Sequence, residues 1–265
     1  MELKSILIGT VGFIAGAVAH YVYSTYIWPN RHKTYTWIYT FRNHRKYGEP
    51  CKTDLVLDRD GYSLGYSFKY KNPLWVSYII SKGSVAVDVD RSDEFYADPD
   101  IPEKYRIQPD DFSNTGYDRG HLAPSAAIDF SRLANQQTFA MSNVAFQDPK
   151  LNRQAWGSLE KTVRSWTQTK GKQYVITGPL FDDKPKRIND IAVPSRFYKI
   201  IYAIDQNRAI GFIFPNEDIK AAQLWNYAMS VKDVEKETDY KFFTKLGRQA
   251  RKLKSEMTVS WWRNK

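Results

Sequence analysis

Hydrophobic and polar positions alternate most regularly between residues 62 and 71, where Tyr62, Leu64, Tyr66, Phe68 and Tyr70 take turns with Ser63, Gly65, Ser67, Lys69 and Lys71. A period of two is that of a half-buried strand. Asn72-Pro73 then turns the chain and the apolar run over 75–80 supplies a second strand, so the two predict a hairpin. Further strands are predicted over 140–146, 173–177, 196–204 and 209–214. A helical period governs 148–168: Leu151, Ala155, Leu159, Val163 and Trp166 form an apolar stripe at three- and four-residue spacing. Asp148-Pro149 opens that helix, with Asp as the cap and Pro at the first helical position. Shorter helices are predicted over 132–139, 230–237 and 240–255, and an Asp- and Pro-rich loop over 91–114. Strands mixed with helices, without a regular βαβ alternation, predict an α+β domain on a largely antiparallel sheet.

Residues 5–28 carry no charged side chain, which suits one membrane-spanning helix with Tyr23, Tyr26 and Trp28 at the interface. A cleaved signal peptide is the rival reading, since Ala17-Val18-Ala19 has the form of a cleavage site. The apolar character runs on to Trp28, which favours a retained anchor. The organisation read from the sequence is an anchor or uncleaved signal over 1–30, a linker or extension over 31–47, a folded domain over 48–246, and a basic C-terminal extension over 247–265 ending in Trp261-Trp262-Arg263. The alternation of Tyr35, Trp37, Tyr39 and Phe41 fits either a short strand or an interfacial extension.

The formal net charge of +10 points to polyanionic partners, nucleic acid or an anionic membrane surface. Cys51 is the single cysteine, which excludes an intrachain disulfide and a cysteine-based zinc site. None of the four histidines is paired at the spacing of a zinc-ligand helix, so a bound metal would be a hard cation on oxygen ligands.

Asp118-Arg119-Gly120-His121 concentrates the candidate chemistry. On an extended backbone Arg119 and His121 share a face, a phosphate-binding guanidinium beside a base that titrates near neutrality. Gly120 lets another group approach the backbone closely, and Asp118 faces the opposite way, as an anchor for the strand. On the helix, Asn152, Trp156, Glu160 and Arg164 are spaced by four and follow one drifting ridge. Mg2+ keeps most of its water and needs only one or two protein oxygens, so Asn152 as direct ligand with Glu160 holding a metal-bound water would serve it. The plainer alternative is an ion pair between Glu160 and Arg164 on a solvated helix face.

Together these residues resemble the DNA/RNA non-specific endonucleases of the ββα-metal (His-Me finger) class. The tetrapeptide 118–121 is similar to the family signature. Ser142-Asn143 with Gln147, Asn152 with Trp156, and Glu160 with Arg164 fall at the family's spacings, as do 175–179, 193–195 with Tyr198-Lys199, and Pro215-Asn216. The likeness spans roughly 48–246, and Phe146 departs from it where a proline commonly precedes the Gln.

The resemblance implies a ββα-metal finger embedded in the antiparallel-sheet domain. It makes His121 the general base, Asn152 the direct Mg2+ ligand (Mn2+ substituting), and Glu160 the holder of a metal-bound water. Arg119 and Arg164 would balance transition-state charge, Asn143 would place His121 or the phosphate, and Arg91 would touch phosphate. The implied activity is a Mg2+-dependent, sequence-nonspecific endonuclease cutting DNA and RNA through phosphate contacts. It would be tethered through residues 5–28 with its domain on a non-cytosolic side, in a periplasm or a mitochondrial intermembrane space. A homodimer and an inhibitor protein are further candidate partners. Two rival functions remain at this stage: a tethered nucleic-acid-binding protein on an inactive version of the scaffold, and a phosphodiesterase for lipids or small nucleotides.

Overall fold

A computed structural model describes residues 44–85 and 94–264 of the chain. Residues 43–265 form one compact unit. The expected anchor over 5–28, the alternation over 35–41, and Arg91 all lie outside the described residues. Among the described residues no helix is long and apolar enough to cross a membrane.

Seven strands form one sheet: β1 (Leu55–Asp58), β2 (Ser63–Ser67), β3 (Asn72–Ile80), β6 (Gln173–Leu180), β9 (Arg196–Ala203), β10 (Arg208–Pro215) and β11 (Ala228–Met229), neighbours in that order. All six pairings are antiparallel, so the mixed, largely antiparallel architecture expected from the sequence is the one observed. Two small ribbons stand apart, β4 (Asp118–His121) with β5 (Val144–Gln147), and β7 (Arg187–Ile188) with β8 (Ile191–Ala192).

The helices are α1 (Arg132–Gln137), α2, α3 (Val231–Thr238), α4 (Gln249–Ser255) and α5 (Val259–Arg263). Helix α2 starts as Pro149–Leu151, widens into a π turn over Asn152–Trp156 and continues as Gly157–Thr169. Asp148 caps it as expected, its Oδ1 accepting from the Lys150 and Leu151 amides at 2.8 and 3.1 Å. Ser131 and Ser230 cap α1 and α3 in the same way.

The central strands are buried on both faces, which is why they read as nearly continuous apolar runs. One face carries Tyr78, Val175, Phe197, Ile201 and Phe212 against the α2 stripe of Leu151, Ala155, Leu159, Val163 and Trp166. The other carries Tyr174, Ile176, Tyr198, Ile200 and Ile213 against Val231 and Val234 of α3 and Ala250 and Leu253 of α4. A third cluster, with Phe112, Met141, Val144, Phe146 and Val193, underlies the β4–β5 ribbon.

Several sequence expectations shift. The turn of the β2–β3 hairpin falls at 68–71, with Lys71 in the left-handed region (φ 49°), and Asn72-Pro73 already belongs to β3. Strand β2 is buried throughout, not half-buried, because Trp75 packs where a Gly65 side chain would be. The strand expected over 140–146 begins as a 3-10 turn, Met141–Asn143. The long helix expected over 240–255 is confined to α4, since Phe242 and Phe243 are drawn into the core beside Tyr198 and Tyr202 and Gly247 takes a positive φ.

The two stretches set apart as linker and basic extension are integrated where they are described. Tyr47 is buried edge-on to Tyr174 and Tyr202. At the other end Ala250, Leu253 and Trp262 are core residues. Trp262 packs on Trp166 of α2 with ring centroids 4.6 Å apart, and its carbonyl accepts from Trp166 Nε1 at 3.1 Å.

Candidate active site

The β4–β5 ribbon and α2 place the candidate residues. Asp118 pairs with Gln147, the last residue of β5 before the Asp148 cap, so the first turn of α2 rises beside Asp118. The Asp118 carboxylate accepts from Asn152 Nδ2 at 2.9 Å and from Arg153 Nε and a terminal guanidinium nitrogen at 2.9 and 2.7 Å. Asp118 does face away from Arg119, as alternation requires, but it faces the helix and holds it. A carboxylate can only accept here, so the Asn152 amide must present its nitrogen inward. Its oxygen, Oδ1, is left for a cation or water.

Arg119 and His121 share a face, with Phe95 between them. The Arg119 guanidinium carbon lies 5.4 Å from the Phe95 ring centre, and the His121 ring 5.1 Å from it. Phe139 meets the imidazole edge-on at 5.0 Å. The two phenylalanines thus wall the imidazole on apolar surfaces. Arg119 also donates to the Pro109 carbonyl at 2.8 Å, while its Nε is buried without a hydrogen-bond partner. A buried guanidinium N–H of that kind suits an arriving anion.

Gly120 is required by the close approach of the Gln147 side chain. A Cβ there would lie 2.5 Å from Gln147 Oε1 and 2.6 Å from Gln147 Cβ. Phe146, at the position where proline is common in the family, remains an ordinary strand residue opposite Arg119 and stacks on Phe112 at 4.0 Å.

Asn143 is fully buried, and its carboxamide is committed to the backbone. Its Oδ1 accepts from Ala123 N at 2.9 Å, and Nδ2 donates to the carbonyls of Ala123 and Thr138 at 2.9 and 2.8 Å. The Asn143 carboxamide thus ties down the chain two residues beyond His121. Ser142 next to it donates to Asp98, which is also gripped by Arg59 at 2.6 and 2.8 Å. This buried cluster fixes the loop that brings Phe95 to the site.

The π turn changes the predicted helix ridge. The Gly157 amide bonds five residues back to the Asn152 carbonyl, and the Ala155 amide leaves the helix to donate to Ile219 O at 3.3 Å. Along a regular helix residues 152 and 160 would stand about 80° apart around the axis; one residue absorbed in the wider turn reduces that to roughly 20°. Asn152 and Glu160 are thereby aligned. Trp156 turns inward, 1% exposed, between Phe197 and Phe214.

Glu160 pairs with Lys199, not with Arg164: Lys199 Nζ lies 3.2 Å from Oε1. The solvated i,i+4 pair is thus replaced by a contact to the sheet. Burial pulls the Lys199 ammonium below its usual pKa, against the opposing pull of Glu160. Arg164, one turn on, is half-buried and acts electrostatically on Lys199 and Tyr78.

Phe95 and Phe139 were missed in the sequence, and Lys199 was read there only as part of the family resemblance, beside Tyr198, with no role given to it. Lys199 alone left a signal there, one charge inside the otherwise apolar run 197–203. Among the described residues no group of three or more His, Cys, Asp or Glu side chains could hold a metal. The donor set fits instead a hydrated hard cation taking the Asn152 oxygen directly and Glu160 through water.

Comparison with known proteins gives the family of the fold that carries these residues. Residues 42–249 match the family model described as DNA/RNA non-specific endonuclease. Nuclease C1 of Cunninghamella echinulata var. echinulata is 34% identical over 223 residues, covering 76% of this chain and 87% of the relative. Mitochondrial endonuclease G of Bos taurus is 32% identical over 227 residues, 79% of this chain and 76% of the relative. A solved EndoG/EndoGI complex, described as showing the mechanism of EndoG inhibition, superposes with a TM-score of 0.71 at 31% identity, covering 77% of this chain and 91% of that one.

Proposed function

The chain belongs to the DNA/RNA non-specific endonuclease family, a family of hydrolytic nucleases, and we propose that it is a Mg2+-dependent endonuclease that cuts DNA and RNA with little sequence selectivity. The observation that carries this reading is the Asp118–Asn152 hydrogen bond of 2.9 Å. It joins the strand that ends in His121 to the helix that carries Glu160 and Arg164.

In this reading a ring nitrogen of His121 takes the proton of the attacking water, with Phe95 and Phe139 fixing the ring. Arg119 and Arg164 bind the phosphate and balance the charge that develops on it. Arg91 is a further phosphate contact on sequence grounds. Asn152 Oδ1 would hold Mg2+, or Mn2+ in its place, and Glu160 would hold a water beside it. When bound, the cation supplies Lewis acidity at the phosphodiester. Every one of these contacts goes to phosphate or water, so base identity is not read.

The nuclease domain is assigned to 48–246 with the segment after it packed against α2. A tether over 5–28 follows from the sequence of that segment. The name of the bovine relative favours a mitochondrial location over a periplasm for the domain. The EndoG/EndoGI complex favours control by an inhibitor protein.

The test uses the full-length chain with plasmid DNA and single-stranded RNA. Both should be degraded with Mg2+ and preserved with EDTA, and His121→Ala should bind without cutting. A wild-type protein that retains DNA without nicking it would establish the inactive-scaffold reading instead. Cleavage of phospholipid or cyclic nucleotides in place of DNA would establish the small-phosphodiester one.

A further inference from the structure

Lys199 occupies an unusual place for a charge. It lies on β9, between β6 and β10, opposite Thr177 on one side and Phe212 on the other. Its side chain projects to the same face as Phe197 and Ile201, beneath α2, and it is fully buried. The ammonium has two neighbours there: Glu160 Oε1 at 3.2 Å and the Trp156 ring centre at 4.1 Å. Both belong to α2, and both lie in or just after its π turn.

Burying a cation in the core is costly, and a well-packed apolar side chain of similar volume is usually at least as stabilising as a buried ion pair. Stability therefore gives a poor account of a lysine here. Glu160 differs from its partner in being partly solvent-accessible, with a side-chain exposure of 15% against 0% for Lys199. The pair thus has one end in the core and one at the surface where Asn152 and Arg164 are placed. One oxygen of Glu160 is held from below by the lysine, while the carboxylate as a whole stays partly open to solvent.

We propose that Lys199 is a positioning residue for the nuclease site, locking the Glu160 carboxylate from inside the sheet so that it can hold a water of the hydrated cation. This rests on the endonuclease reading above, and the test separates the two.

Full-length wild type, Lys199→Met, Glu160→Gln and the double variant are compared in kcat and KM on a duplex DNA substrate. Tm and the affinity for Mn2+ by calorimetry are measured beside them. Lys199→Met should keep a Tm within a few degrees of wild type and an unchanged KM for DNA. Its kcat should fall about 10- to 100-fold, the loss expected when the support of a metal site is removed, and Mn2+ should bind more weakly. The double variant should be no slower than Glu160→Gln alone, because the lysine acts through the glutamate. Wild-type kcat in Lys199→Met, or losses that multiply in the double variant, would overturn the inference. If Lys199→Met does not fold, Lys199→Leu is judged by the same outcomes. A wild-type chain that leaves DNA intact with Mg2+ overturns the nuclease reading, and this inference with it; one that cuts beside an equally fast Lys199→Met overturns this inference alone.

Discussion

The carboxylate of Asp118 holds the carboxamide of Asn152 at 2.9 Å, across a separation of 34 residues. This one contact fixes which end of the amide faces outward. In Asp118→Asn the partner could donate as well as accept, and the Asn152 amide would be free to flip. The expected result is a fall of about 10- to 100-fold in activity, with a higher Mg2+ requirement. The fold should persist, because the accompanying Arg153 guanidinium is largely exposed and its ion pair adds little stability. Titrating activity against Mg2+, with circular dichroism alongside, checks both halves.

Gly120 sits where the Gln147 side chain crosses the strand. Gly120→Ala should displace Gln147 and splay β4 from β5, at about 1–3 kcal/mol for overpacking. Thermal unfolding should report the loss, and activity should fall with it because Arg119 and His121 flank the site of the clash.

Trp262 is 1% exposed and packs on Trp166. Trp262→Ala should cost about 3–5 kcal/mol, lowering Tm by roughly 10 °C. Truncation after Leu246 also removes Ala250 and Leu253 and should abolish folding. A truncated chain that keeps its Tm and loses only binding to single strands would instead assign the tail to nucleic acid.

Burial pushes the Cys51 thiol up to about 11, above the ordinary thiol range. Its folded-state pKa lies above the unfolded one, so the protonated thiol favours the native state. That contribution is fully present below about pH 9 and is lost as pH rises through 11. The buried Tyr174 phenol shifts upward for the same reason and acts in the same direction. Stability followed by denaturant melts should therefore decline on the alkaline side. Alkylation of Cys51 at pH 8 should be slow in the native protein and fast in denaturant.

Phosphate contacts of the proposed kind would make activity salt-dependent. The apparent affinity for duplex DNA should fall steeply between 50 and 200 mM salt on the general scale of about −0.9 log units per phosphate neutralised. Arg164→Ala should flatten that slope by about one unit and weaken binding equally for all sequences. An unchanged slope would remove Arg164 from the phosphate contacts.

Much of the fold was present in local pattern. The α2 stripe, the Asp148 cap and the strands around 173, 196 and 209 follow from periodicity and capping, which act over a few neighbouring residues and are written directly in the chain. The tetrapeptide at 118–121 and the spacing of Asn152, Glu160 and Arg164 likewise identified the family from sequence, and Arg119 with His121 share a face because strand geometry allows nothing else. What the local pattern could not contain were the partners of charged and polar groups. Whether Asp118 meets solvent or Asn152 depends on the β4–β5 register, which sets the start of α2 beside it. Whether Glu160 pairs with Arg164 or Lys199 depends on a strand 39 residues away. The π turn arises where Ala155 gives its amide to Ile219, and Trp262 becomes core only because Trp166 offers a surface. Sequence determined the elements and their chemistry through short-range forces; tertiary packing decided the pairings, because burial and hydrogen-bond satisfaction are settled between segments that meet only in the folded chain.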